Sequence, residues 1–218
     1  MNSRDRVLVT GATGLVGSHV VRELLDAGYA VRAMSRTEHP PLPGAEVAEH
    51  VRGDIRDPRS VVAALEDCRF LVHAAAAYQL GMAGSRETFG TNVHGTRVVM
   101  EAGLRAGVER IVYTSSVATI GPVEGRPATE DDEAGPASRA GPYERSKWLA
   151  ELLVRGMVTE HGLPAVIVNP ATVVGAGDSR PTRTGQLILD AVRGRMPAYV
   201  SAGLNFVAAK DVATGHRL

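Results

Sequence analysis

The fold of this chain is indicated by the stretch Thr10-Gly11-Ala12-Thr13-Gly14-Leu15-Val16-Gly17. It follows the apolar run Val7-Leu8-Val9, which is typical of a buried strand, and it precedes apolar residues at helical spacing over residues 15–27. Glycines in such a turn let a pyrophosphate approach the backbone, and the helix N-terminus presents free N–H groups to it. The spacing is Gly-x-x-Gly-x-x-Gly, so an ordinary strand-to-helix turn remains the alternative.

Length, charge and cysteine content limit the class of protein. A chain of 218 residues is expected to form one domain, or one domain with a small lobe. Lys plus Arg and Asp plus Glu both number 24, and this balance gives no indication of nucleic acid or of an anionic membrane as a partner. No apolar run is long enough to cross a bilayer, no signal peptide is recognised, and the seven histidines lack the spacing of metal ligands. We therefore expect no bound metal. Cys68 is the only cysteine, so no intrachain disulfide can form, and we expect a cytoplasmic protein.

The second predicted strand, Ala30–Ser35, bears on the choice of cofactor. Units that bind NAD commonly place an acidic residue near the end of this strand, where it bonds the ribose 2′-hydroxyl. Here Arg36 follows the strand, and its forked donors suit a 2′-phosphate. The sequence therefore favours NADP(H), with NAD(H) kept open. The alternative for Arg36 is a solvated side chain at the start of a loop over residues 38–44.

Strands and helices alternate along the rest of the chain, which predicts an α/β fold with a doubly wound parallel sheet. Further strands are expected over residues 46–51, 70–73, 110–114 and 165–169, helices from the Asp57-Pro58 cap and over residues 86–106 and 185–194, and short strands and turns over residues 196–209. The carboxyl edge of such a sheet binds ligands. We expect the small residues Ala74-Ala75-Ala76 to lie close to the cofactor there, and Asp54-Ile55 to contact the adenine, although a turn role fits Asp54 equally well.

A Tyr-x-x-x-Lys pair, Tyr143 and Lys147, carries the candidate chemistry. Positions i and i+4 share a helix face, so the phenol and the ammonium are expected side by side. A free tyrosine has a pKa near about 10, and lowering it by about three units takes roughly 4 kcal/mol, which a neighbouring cation helps to supply. Tyr143 would then exchange a proton with a substrate hydroxyl or carbonyl. Ser116, at the end of the strand over residues 110–114, would hold the same oxygen.

Two further segments are interpreted from their composition. Asn92 lies inside the predicted helix over residues 86–106, where an amide is not favoured. It is either exposed at the surface or bonds inward at the site. Residues 121–142 are rich in Gly, Pro and acidic residues, which favours a surface excursion that forms a lid or a rim.

Together these motifs resemble the extended short-chain dehydrogenase/reductase superfamily, the NAD-dependent epimerase/dehydratase family. The resemblance covers nearly the whole chain. It rests on the glycine stretch, Thr91-Asn92-Val93-His94-Gly95-Thr96, Tyr113-Thr114-Ser115-Ser116, and Tyr143 with Lys147. Within the superfamily the chain is similar to dihydroflavonol-reductase-like proteins, and most to the hopanoid-associated sugar epimerase group, through residues 113–121, 168–170, 184–200 and 203–205.

The resemblance implies a role for each candidate residue. Tyr143 is implied as the acid/base, Lys147 as its partner and a ribose ligand, Ser116 as the group that orients the substrate oxygen, and Asn92 as a supporting residue. The implied cofactor contacts are Thr10, Gly11, Thr13, Gly14, Leu15, Val16, Gly17, Arg36, Asp54, Ile55, Ala74, Ala75, Ala76, Thr114, Tyr143, Lys147, Asn169, Pro170 and Thr172.

The end of the chain departs from this pattern in two ways. Relatives usually carry a His and two acidic residues after the position of Asn205-Phe206-Val207, where this chain has Ala208-Ala209-Lys210-Asp211. Relatives also continue into a C-terminal substrate lobe, whereas this chain ends at Leu218, where a helix is expected to begin. We therefore expect a dinucleotide-binding domain over residues 1–175 and a partial, truncated substrate lobe over residues 176–218.

Three functions stay open. The first is an NADP-dependent oxidoreductase for a secondary alcohol or ketone, which Arg36 favours because net reductases generally use NADPH. The second is a sugar epimerase or dehydratase with a recycled cofactor, which the subgroup resemblance favours. The third is a non-catalytic dinucleotide-binding sensor, and Ser116, Tyr143 and Lys147 argue against it because a pure binder needs no acid/base pair. We expect a small-molecule substrate and keep a homodimer open, since dimers are the commonest assemblies.

Overall fold

A computed structural model describes residues 5–37, 45, 47–78, 85–132, 141–178, 182–196, 198 and 203–218. Its centre is a six-stranded parallel sheet in the order β3-β2-β1-β4-β5-β6, and a two-stranded parallel sheet pairs β7 with β8. The strands are β1 Arg6–Thr10, β2 Ala30–Ser35, β3 Glu49–Arg52, β4 Phe70–His73, β5 Arg110–Thr114, β6 Ala165–Val168, β7 Thr172–Val174 and β8 Phe206–Ala208. The predicted α/β fold with a doubly wound parallel sheet is confirmed.

Helices pack on both faces of the large sheet. The helices in the described ranges are α1 Leu15–Asp26, α2 Pro58–Ala64, α3 Ser85–Phe89, α4 Thr96–Ala106, α5 Pro142–His161, α6 Arg183–Val192 and α7 Ala209–Arg217, with a π-helical turn over Gly90–Gly95 and a 3₁₀ turn over Val117–Thr119. None of the helices in the described ranges is both long enough and apolar enough to cross a membrane.

Strand β1 shows why the sheet is buried on both sides. Val7 and Val9 face one layer, where they pack with α1 and with Ala213 of α7. Leu8 faces the other layer, which is formed with α2, α4 and α5. Since side chains alternate along a strand, a continuous apolar run gives both faces a core.

The register of the central strands brings their carboxyl ends to one edge. Thr10, the last residue of β1, lies beside Met34 of β2 and His73 of β4. The glycine turn, the residues after β2 and the residues after β4 therefore meet, which is the arrangement that binds ligands in open α/β sheets.

Most predicted elements agree with the structure. Strands β2, β4 and β5 have the predicted bounds, and Asp57 caps α2 by accepting a bond from the Arg59 N–H, with Pro58 in the first turn. Strand β6 ends one residue earlier than predicted, β3 begins at Glu49, and α6 begins at Arg183 rather than at residue 185. Three predicted features lie outside the described residues. They are the loop over residues 38–44, the start of the third strand at position 46, and the part of the predicted lid over residues 133–140.

The single helix predicted over residues 86–106 is wrong. The structure has α3, then the π-helical turn Gly90–Gly95, then α4. Asn92 lies in the π turn and is 1% exposed, with its amide bonded to Ala77 and Ser146. A π turn inserts one residue into the helical repeat, and such turns are frequent at functional sites. Here the turn accommodates an inward amide that a uniform amphipathic pattern does not predict.

The structure also corrects the end of the chain. Helix α7 spans Ala209–Arg217, although short strands and turns were expected up to residue 209 and a helix only at the end of the chain. Ala209, Val212, Ala213 and His216 are buried, and their i, i+3, i+4, i+7 spacing is the helical pattern in this segment. Helix α7 packs on α1, and the side chain of Arg217 pairs with Glu23 at 2.7 Å. The domain boundary at residue 175 stays a prediction.

The turn that follows β1 leads to a stability prediction. A Cβ atom on Gly17 would lie 2.2 Å from the main-chain oxygen of Gly11, so Gly17→Ala should lower the free energy of unfolding by about 1–3 kcal/mol, the usual cost of overpacking. Gly156 in α5 is the matched control, because its Cβ would meet nothing within 4 Å. Gly156→Ala should raise the free energy of unfolding by up to about 1 kcal/mol. Urea unfolding of both variants measures the difference, and equal stabilities would contradict the packing argument.

Candidate functional site

A cleft of about 200 Å³ opens at the carboxyl edge of the sheet. Nine of the predicted cofactor residues line it: Gly11, Thr13, Gly14, Arg36, Asp54, Ile55, Ala74, Ala75 and Ala76. Met34, Ser35, Gly53, Arg56, Ala77 and Thr91 also line it and were not predicted. The predicted residues that do not line this cleft are Thr10, Leu15, Val16, Gly17, Thr114, Tyr143, Lys147, Asn169, Pro170 and Thr172.

The glycine turn fits a bound pyrophosphate. Gly11 has φ +70°, and a Cβ there would lie 2.6 Å from the main-chain nitrogen of Ala75, so only glycine permits this close approach. Gly14 caps α1 in an extended conformation, and it provides no side-chain bond to the first-turn N–H groups of that helix. Those donors and the positive end of the helix dipole are therefore available to an anion.

Two guanidinium groups, those of Arg36 and Arg56, line the part of the cleft that follows β2 and β3. Arg36 is 70% exposed in its side chain, and its Nη1 lies 3.9 Å from Oε1 of Glu87. Arg56 donates hydrogen bonds to both carboxylate oxygens of Asp54, from Nη2 to Oδ2 at 2.6 Å and from Nε to Oδ1 at 3.0 Å. The hydrogen bond from Arg56 lowers the pKa of Asp54. Asp54 thus lines the cleft and also organises the turn, since its carboxylate accepts from the Arg56 main-chain N–H.

Lys147 is buried on the face of α5 that points at the end of β5. Its Nζ donates to the main-chain oxygen of Thr114 at 2.6 Å and lies 5.0 Å from the centroid of the Tyr113 ring. Burial lowers the pKa of Lys147 to about 8, although the charge of Glu151 acts in the opposite direction. At neutral pH Lys147 is therefore still mostly a cation.

Ser116 lies near Tyr143, and its hydroxyl acts to lower the pKa of the phenol, so the structure places the predicted acid/base and the predicted orienting serine close together. Burial raises the pKa of Tyr143 to about 12, and the nearby hydroxyl of Ser116 offsets this only in part. This direction is opposite to the lowered pKa expected from the sequence. Desolvation penalises the phenolate, and the ammonium of Lys147 is bonded to Thr114 instead. The ring of Tyr78, which was not predicted, packs edge-on against Tyr143 with centroids 4.5 Å apart.

Asn92 links the cleft to α5. Its Nδ2 donates to the main-chain oxygen of Ala77 at 3.0 Å and to Oγ of Ser146 at 2.8 Å, and its Oδ1 accepts from the Ala77 N–H at 2.7 Å. Ser146, which sequence reasoning missed, in turn donates to the main-chain oxygen of Tyr143 at 2.7 Å. Of the two interpretations of Asn92, surface exposure is excluded. The amide instead holds the segment after β4 against the helix that carries Tyr143.

Three of the remaining predicted residues, Thr10, Asn169 and Pro170, make hydrogen bonds within the protein. Thr10 is fully buried, and its Oγ1 lies 2.7 Å from Nδ1 of His73. The amide nitrogen of Asn169 bonds Glu151 at 2.8 Å, and the Pro170 oxygen accepts from the Val117 N–H at 3.0 Å. Their contacts with a cofactor stay predictions, as do those of Leu15, Val16, Thr114 and Thr172. Within the described ranges, no three His, Cys, Asp or Glu side chains are grouped to hold a metal ion.

Three known proteins are similar to this chain in sequence or in structure. A putative dihydroflavonol 4-reductase of Synechocystis sp. is 41% identical over 217 residues, which cover 98% of this chain and 62% of that protein. The crystal structure of gox2253 superimposes with a TM-score of 0.91 at 46% identity, over 98% of this chain and 65% of that one. The UDP-glucose 4-epimerase of Thermus thermophilus, solved in complex with NAD, superimposes with a TM-score of 0.81 at 27% identity, over 97% of this chain and 73% of that one.

The chain therefore spans less than two thirds of the length of the first two of these proteins. The sequence model described as the NAD dependent epimerase/dehydratase family matches residues 7–218. Because this match extends over nearly the whole chain, the protein belongs to the NAD dependent epimerase/dehydratase family.

Proposed function

We propose that this chain forms the dinucleotide-binding and catalytic part of an NADP(H)-dependent oxidoreductase that interconverts a secondary alcohol and a ketone. The observation that carries the proposal is that Ser116, just after β5, lies near Tyr143 of α5, and that buried Lys147 follows one turn further along the same helix. A protein that only bound a dinucleotide would need no such acid/base pair. The substrate is proposed to be a small molecule.

The chain's own residues support a defined path for the proton. A bound nicotinamide would supply or accept the hydride at the substrate carbon. Ser116 and Tyr143 hold the substrate oxygen through their hydroxyls. With a pKa of about 12, Tyr143 is a neutral phenol at pH 7, and it is therefore ready to donate a proton to the oxygen of a carbonyl substrate. Lys147, with a pKa of about 8, is still mostly protonated, and its charge stabilises the phenolate that forms.

The preference for NADP(H) is supported by the electrostatics of the adenosine side. Arg36 follows β2 directly, where a 2′-phosphate would lie, and its side chain is largely exposed. No carboxylate occupies the last position of β2, which is Ser35. The structure of the Thermus thermophilus epimerase with NAD keeps NAD(H) as the competing cofactor.

The second candidate function is a sugar epimerase or dehydratase with a recycled cofactor. The similarity to the Thermus thermophilus UDP-glucose 4-epimerase favours it. Incubation of the protein with NADPH and a panel of carbonyl compounds separates the two functions. Net loss of NADPH absorbance supports reduction, and exchange of configuration or of a proton without net loss supports epimerisation. Tight binding of NADPH without either reaction would overturn both in favour of a dinucleotide sensor.

The proposal extends to location and assembly. A single cysteine, half-buried Cys68, is typical of proteins kept in a reducing compartment, which supports a cytoplasmic location. A homodimer is proposed as the assembly on the general frequency of two-fold oligomers. Sedimentation of the full-length protein tests the assembly directly.

Replacement of the phenol should remove the acid/base step. Tyr143→Phe should lower turnover by about 10²–10⁴-fold, the usual contribution of general acid/base catalysis, and should leave the Kd for NADPH nearly unchanged. Tyr29→Phe is the matched control, because that ring packs on Phe70 at the opposite end of the sheet. Steady-state kinetics and fluorescence titration with NADPH give the two quantities. A Phe variant as active as the control would remove Tyr143 from the mechanism.

Replacement of Arg36 should change the cofactor preference. Arg36→Ala should raise the Kd for NADPH by about 10- to 100-fold, since bonds to a charged group contribute about 1.5–3 kcal/mol, and should leave the Kd for NADH nearly unchanged. Arg105→Ala on the exposed face of α4 is the control for a general loss of positive charge. Equal weakening of both cofactors, or tighter binding of NADH than of NADPH by the unmodified protein, would contradict the assignment.

A further inference from the structure

A buried carboxylate that the proposed mechanism does not use lies on α5. Glu151 is 5% exposed. Its Oε2 accepts from Oγ of Ser115 at 2.5 Å, from Oγ1 of Thr119 at 2.7 Å and from Nδ2 of Asn169 at 2.8 Å. Its Oε1 accepts from Nε of Arg155 at 2.9 Å. One side chain thus joins α5 to the segment after β5 and to the end of β6.

The same donors hold the backbone of Ser116. The main-chain oxygen of Ser116 accepts from Oγ1 of Thr119 at 2.8 Å and from Nδ2 of Asn169 at 3.2 Å. The Thr119 N–H adds a third bond at 3.0 Å. Thr119 has one hydroxyl proton, which lies within reach of both the Ser116 oxygen and Glu151, whereas the NH₂ group of Asn169 has a proton for each. Both side chains that fix this carbonyl are therefore also in hydrogen-bond contact with Glu151. The carboxylate of Glu151 therefore belongs to one hydrogen-bond network with the main-chain oxygen of Ser116, the serine that lies near Tyr143.

We infer that Glu151 is the positioning residue that sets the hydroxyl of Ser116 against the phenol of Tyr143. Tyr143 and Glu151 lie two turns apart on one face of α5, so the helix acts as a rigid spacer between the phenol and the anchor of the serine. The inference rests on the proposed function, because this distance affects turnover only if both hydroxyls hold the substrate oxygen.

The network requires an ionised carboxylate rather than an amide. Arg155 and the amide nitrogen of Asn169 can only donate, and they approach different oxygens of Glu151. Glutamine offers one oxygen and one NH₂ group, so one of these donors would face another donor. Burial alone would raise the pKa of Glu151, but the hydrogen bonds from Ser115, Thr119, Arg155 and Asn169 together hold it below its usual value. The group is therefore an anion at neutral pH.

The test is Glu151→Gln in two backgrounds. In the otherwise unmodified protein we expect kcat for carbonyl reduction to fall by about 10- to 100-fold, the size of effect that a misplaced reacting group produces, with little change in the Kd for NADPH. In the Ser116→Ala background the same substitution should change kcat by less than about twofold, because residues that act through one another are not additive. Glu101→Gln is the matched control, since Glu101 pairs with Arg105 at the same i,i+4 spacing on the exposed surface of α4. It should leave kcat unchanged.

Three results would overturn the inference. They are an unchanged kcat in Glu151→Gln, an equal loss of kcat in both backgrounds, and a loss of NADPH affinity as large as the loss of kcat. The last two would show that the carboxylate only stabilises the fold. If Glu151→Gln does not fold, Thr119→Val takes its place with the same expectations, because it is isosteric and removes one link between Glu151 and Ser116.

A readout without turnover keeps the two proposals separate. Crystal structures of the unmodified protein and of Glu151→Gln should show the hydroxyls of Ser116 and Tyr143 close together in the first and further apart in the second. The same separation of these hydroxyls in both structures would overturn the role of Glu151. If the unmodified protein turns over no substrate, the proposed function fails, and this structural comparison still decides the inference.

Discussion

Two glycines leave no room for a side chain, and the shape of the site follows from this. A Cβ on Gly11 would collide with the backbone at Ala75, and a Cβ on Gly17 would collide with the oxygen of Gly11. With no side chains there, the turn after β1 lies directly against the end of β4, and α1 begins at the rim of the same cleft. The close approach of the turn after β1 to the segment after β4 therefore shapes the cleft. It places the alanines after β4 and the N-terminus of α1 at the same site.

Helix α5 carries the candidate catalytic residues and a buried carboxylate at positions one turn apart. Tyr143 lies near Ser116, Lys147 donates to the main-chain oxygen of Thr114, and Glu151 accepts from the hydroxyl of Ser115. Burying an ammonium and a carboxylate costs free energy unless both are hydrogen-bonded. Here the ammonium of Lys147 and the carboxylate of Glu151 are each hydrogen-bonded to a residue at the end of β5, Thr114 and Ser115 respectively. The same contacts that offset the burial of these charges also set the distance between the strand end and the helix.

Burial decides the protonation state of the candidate acid. The sequence predicts a lowered pKa for Tyr143 from the cation four residues away, and in the structure desolvation outweighs that effect. The hydroxyl of Ser116 opposes the shift only in part. A neutral phenol is the protonation state that the proposed reduction of a carbonyl requires at neutral pH. This balance depends on enclosure by side chains such as Tyr78, whose ring lies against the phenol.

Local patterns in the sequence were enough to predict most strands, the parallel sheet, the glycine turn and the position of Tyr143 and Lys147 on one helix, because apolar periodicity, glycine spacing and the i,i+4 rule act within a few residues. The π-helical turn around Asn92 came only from the tertiary structure, since the partners of its amide lie at Ala77 and Ser146. The network around Glu151 and the raised pKa of Tyr143 have the same origin. Each of these depends on groups distant in the chain that become neighbours only when the sheet and its helices pack, and burial and hydrogen bonding of that kind have no local signature in the sequence.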